Sequence, residues 1–148
     1  MNLSHRNHQR GLSAIEFVIA MPIVFILLAA VIELGIALVK YQTLTKLVQF
    51  GARYGVSQVY NTTGAQVADT AQIKCAVVTG STSDMSADCG NSTNKPLPSL
   101  NLADVSVSQT GDYLYVTAIY RYSPLLNFGV VTSDYTLDLS ASALMRAK

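Results

Sequence analysis

From Phe17 to Val39 the chain runs for 23 residues with Glu33 as its only formal charge. As a helix rising ~1.5 Å per residue, that stretch covers roughly 35 Å, enough to cross a ~30 Å hydrocarbon layer with some tilt. Before it, Met1 to Gly11 forms a polar leader carrying His5, Arg6, His8 and Arg10 and no acid. After it come Lys40 and 108 further residues with no second apolar run of that length. The pattern predicts a single-pass chain anchored near its amino end, with the arginines holding the leader in the cytoplasm. A secretory signal peptide would have a shorter apolar core of ~7–15 residues and small residues at a cleavage site. Here Glu33, Leu34 and Ile36 stand where those small residues would fall. The run reads as an anchor.

Glu16 is not explained by an anchor alone. A carboxylate at the edge of hydrocarbon costs a few kcal/mol unless it is paired or reaches the headgroups. One reading leaves it solvated in the interface near Arg10. The other begins at Gly11: a cut after this residue would give Leu12 a new α-ammonium, and Glu16 would become the fifth residue of the shortened chain. Residues four apart share a helix face, so Glu16 could neutralise that amine in its own or a neighbouring subunit and set register in a bundle.

Other features of the apolar run bear on packing. Pro22 has no amide hydrogen, leaves the Val18 carbonyl without its helical partner, and predicts a kink. Glu33 lies 17 residues after Glu16, roughly 25 Å further along the axis and near the opposite interface. It either snorkels to the headgroups or meets another subunit, where Ala30, Gly35 and Ala37 offer small-residue surface for close helix approach.

The residues around Gly11 and Glu16 resemble the type IV prepilin processing site, in which Gly and Glu are separated by four residues. The closer resemblance is to TadE-like pseudopilins of the Tad (Flp) pilus system. It rests on Arg10-Gly11, Ala14-Ile15-Glu16-Phe17, Pro22, Ile32-Glu33-Leu34-Gly35 and Gly51-Ala52-Arg53-Tyr54. It continues more loosely in Val116-Thr117-Ala118-Ile119-Tyr120 and in Ser140 to Arg146. Phe50 departs from the pattern, which often has an acid or polar residue before Gly-Ala-Arg. The resemblance implies a small structural subunit, a pseudopilin or minor pilin, cut after Gly11 by a membrane-embedded prepilin peptidase. Its implied partners are that peptidase, other pilin or pseudopilin subunits, the inner-membrane Tad assembly platform and membrane lipid, in adhesion and biofilm formation. Gly11, Leu12, Glu16 and Phe17 would form the processing site, and Pro22, Glu33 and Gly35 the subunit and membrane contacts. The cut would remove Arg6 and Arg10, leaving eight basic against nine acidic side chains, so that the formal charge falls from +1 to −1. Neither value points to nucleic acid, which calls for a strongly basic face.

Past the anchor, Leu44, Leu47, Val48, Gly51, Ala52 and Gly55 fall on one helical stripe, so the helix is expected to continue beyond the membrane. Asn61-Thr62-Thr63-Gly64 reads as a break. Ala65 to Thr79 reads as a second helix with Val67, Ala71, Cys75 and Val78 inward. Gly80 to Pro98 has the Ser, Thr, Asp, Asn, Gly and Pro content of a long exposed loop. Cys75 and Cys89, the only cysteines, bracket part of it on the side expected to be periplasmic, where thiols oxidise, and a disulfide between them is expected. Asp104 to Ser108, Tyr113 to Tyr122 and Asp134 to Ala143 alternate as strands, with a turn at Gln109-Thr110-Gly111-Asp112. Period-2 spacing sends Leu114, Val116, Ala118 and Tyr120 to one face and Tyr113, Tyr115, Thr117 and Ile119 to the other.

No catalytic set emerges. Both histidines lie in the leader, the cysteines are expected to pair, and the acids are scattered through polar turns. Asp84 and Asp88 are close enough to bind a cation, but that spacing in a Ser/Gly loop is ordinary solubility. Asn61-Thr62-Thr63 and Asn91-Ser92-Thr93 fit a glycosylation pattern without further support. No enzyme activity, cofactor or metal is expected. The reading is therefore α+β: a long amino-terminal transmembrane helix continuing into a small periplasmic domain with a second helix and a three-stranded antiparallel sheet. The expected divisions are residues 1–11 (leader), 12–40 (membrane helix) and 41–148 (periplasmic domain). Two other functions stay open: an uncleaved inner-membrane assembly factor of the Tad machine, and a membrane-tethered periplasmic binding module.

Overall fold

Two kinds of apolar pattern share the first helix, and they lead to different surroundings. The computed structural model describes residues 9–61, 67–83, 89, 95–124 and 136–147. Helix α1 runs from Gln9 to Asn61 without interruption, Pro22 included. By contact density the chain divides into two units, Met1–Ile36 and Ala37–Lys148, with the boundary inside α1. In the first unit the large apolar side chains are exposed, as at Phe17, Ile19, Leu27 and Leu34. In the second, all six positions of the expected stripe are buried: Leu44, Leu47, Val48, Gly51, Ala52 and Gly55.

Helix α2 spans Thr70–Thr79, five residues shorter at its start than the sequence pattern indicates. Ala65 and Gln66 lie outside the described residues, and Val67 to Asp69 are not helical. The Ala68 amide donates to the Gly55 carbonyl at 3.2 Å instead of to its own chain's preceding turn. That bond ties the approach segment to α1 until Asp69, a residue type that favours helix starts, opens the helix. The inward set differs accordingly. Ala71 is exposed, whereas Ile73 and every residue from Cys75 to Thr79 are buried. The helix ends at Gly80, whose φ of 65° supplies the left-handed conformation that lets its amide return to the Ala76 carbonyl at 2.9 Å. The buried Thr79 hydroxyl donates to the Cys75 carbonyl at 2.8 Å and accepts from the Ser81 amide at 3.3 Å, so burying it leaves no polar atom unpaired.

A short 3₁₀ turn at Leu102–Asp104 leads into the sheet. Asp104, expected to begin the first strand, instead caps this turn by accepting from the Asn101 amide at 3.0 Å. Strands β1 (Val105–Thr110), β2 (Tyr113–Tyr122) and β3 (Leu137–Arg146) form an antiparallel sheet in that order. Thr110 pairs with Tyr113, so the β1–β2 loop is Gly111-Asp112 alone, tighter than the four-residue turn expected. Gly111 meets the positive φ (58°) that such a loop requires. Strand β3 lies three residues later than its own alternation indicates, and Asp134 and Tyr135 fall outside the described residues. The reason is the template: all ten residues of β2 find partners, from Tyr113↔Arg146 to Tyr122↔Leu137. Strand length is set here by the neighbour, not by local pattern.

The two faces of β2 divide as its alternation predicts. Leu114, Val116, Ala118 and Tyr120 are buried, and Tyr122 joins them, while Tyr113, Tyr115 and Ile119 stay exposed. The buried face meets the helices where glycine permits. A Cβ on Gly55 would lie 2.6 Å from Leu114 Cδ2 and 2.9 Å from Ile73 Cδ1. One on Gly51 would collide with Val77 Cγ2 and sit 3.3 Å from the Ile73 carbonyl oxygen. The two glycines let α1 approach α2 and the sheet closely; they are not a dimer surface in this fold.

Gly55→Val should therefore lower stability by about 2 kcal/mol, the cost of overpacking a filled core. Gly35→Ala, where a Cβ meets nothing within 4 Å, should change it by less than about 0.5 kcal/mol. Denaturant titration of the detergent-solubilised chain, followed by tyrosine fluorescence, measures both. Equal stability for wild type and Gly55→Val would refute the close packing.

Candidate functional site

The exposed half of α1 is the part of the molecule that its own fold leaves unsatisfied. Ile15, Phe17, Val18, Ile19, Ile23, Phe25, Leu27 and Leu34 are each 59–68% exposed. Apolar area left in water forfeits ~25 cal/mol per Å², so such a surface needs lipid or protein around it. Ala14–Val59 is the one described helix long and apolar enough to cross a membrane, near the amino terminus. It fits a single-pass membrane protein.

Gly11 and Leu12 both lie within α1, which starts two residues before Gly11; their side chains are outside the description. Glu16 is exposed, one turn beyond Leu12, and Phe17 beside it is 60% exposed. Pro22 sits inside the unbroken helix. Glu33 is partly exposed, and Gly35 has open space where a side chain would be. These residues do not converge. Glu16 and Glu33 are separated by roughly 25 Å along the helix and roughly 100° around it, so they act at separate levels.

The head is fastened where the sequence places its cysteines. Cys75 and Cys89 form a disulfide with Cα atoms 5.7 Å apart across 14 residues of chain, and both are buried. The segment from Gly80 to Pro98 is accordingly not exposed throughout. Cys89 and Leu97 are buried, as is Leu100 just beyond it. Leu97 and Leu100, three apart in otherwise polar sequence, were the readable signal of that anchoring, as Ile73 and Val77 were for the α2 contact with α1. Asp84, Asp88, Asn91, Ser92, Thr93, Thr62 and Thr63 lie outside the described residues, as do His5, Arg6 and His8 of the leader.

An exposed apolar helix at the amino end, continuous with a disulfide-fastened α+β head, is the layout of a single-pass membrane protein. A family model described as TadE-like protein matches residues 11–53. The match takes in the exposed apolar half of α1 and the buried stripe as far as Arg53. No curated protein and no solved structure matches the chain.

Replacing Cys75 by Ser should lower the stability of the head by about 3 kcal/mol, the chain-entropy value for a closed loop of this size. Non-reducing peptide mass mapping should recover the Cys75 and Cys89 peptides joined. Alkylatable thiols at both positions in protein handled without reductant would contradict the bond.

Proposed function

We propose that the chain is a prepilin-type structural subunit, a TadE-like pseudopilin or minor pilin used in assembling a Tad (Flp) pilus for surface adhesion. It has no enzymatic role of its own in this reading. The observation that carries it is Gly11 followed five residues later by Glu16, at the start of the exposed apolar helix. The family match beginning at Gly11 supports it.

The chemistry follows from these positions. A prepilin peptidase hydrolyses the Gly11–Leu12 bond, and glycine offers no side chain to obstruct its active site. Hydrolysis removes Arg6 and Arg10, the two charges that oppose movement of the amino end out of the cytoplasm. It also creates an ammonium on Leu12, one helical turn from the Glu16 carboxylate. In apolar surroundings these two charges stabilise one another, and pairing between neighbouring subunits would fix their stagger. The head, in this reading, faces the periplasm across the bacterial inner membrane.

A second reading draws on the same helix. Since α1 already includes Gly11 and Leu12, an uncleaved membrane-resident assembly factor also accommodates the geometry. Amino-terminal sequencing of the protein from cells with an active peptidase separates the two. The pseudopilin reading predicts a chain beginning at Leu12, and an intact terminus at Met1 or Asn2 would reject it. Gly11→Val should block processing. Glu16→Ala should still be cut but accumulate as a membrane-bound monomer, because an unpaired buried ammonium costs several kcal/mol.

A further inference from the structure

We draw no further inference here: the strongest candidate, the outer face of the sheet on which Tyr113, Tyr115, Ile119 and Leu144 stand exposed, carries nothing because nothing among the described residues shows what covers it.

Discussion

The whole arrangement depends on one helix having to satisfy two solvents. Over its first part, α1 turns apolar side chains outward on every side, which water penalises in proportion to area and a bilayer does not. From Ala37 onward the same helix has a single apolar stripe, and the head covers it. No turn or loop marks the change. It is written only in how many faces of the helix are apolar: all of them from Phe17 to Val39, one of them from Leu44 to Gly55. A helix satisfies its own backbone hydrogen bonds in either medium, which is why one unbroken element can serve both.

What the head must then supply is modest and local. A domain of this size has a small core, and every close contact counts. Gly51 and Gly55 bring α1 against Ile73, Val77 and Leu114. Because residues 75–79 are buried on every side of α2, that short helix is held by its surroundings and not by its intrinsic propensity. The Cys75–Cys89 bond ties buried Cys89 back to α2. Tyr120 and Tyr122 complete the inner face of β2, leaving Tyr113 and Tyr115 outside.

Much of this was legible in the sequence where a single period ran long enough to dominate. The stripe from Leu44 to Gly55, the two faces of β2 and the cysteine pair were all readable from spacing and composition. The departures share a cause. The start of α2 is fixed by the Ala68–Gly55 hydrogen bond, the limits of β3 by the ten-residue template of β2, and the burial of Cys89 and Leu97 by a core formed elsewhere in the chain. Each is a tertiary partner that local alternation cannot contain. Gly11 and Glu16 drew notice for another reason: they are conspicuous beside an apolar run.

The division of α1 between two media is the central claim, and a nitroxide scan along the helix in lipid nanodiscs tests it directly. Labels from Phe17 to Val39 should be accessible to oxygen and shielded from a water-soluble nickel relaxant on all faces, as lipid requires. Beyond Lys40 the pattern should change to one with a 3.6-residue period: Lys46, Gln49 and Arg53 open to nickel, Leu44, Val48 and Ala52 closed to both. Nickel access at Leu27, or a water-exposed face continuing with the same period back to Phe17, would contradict the account.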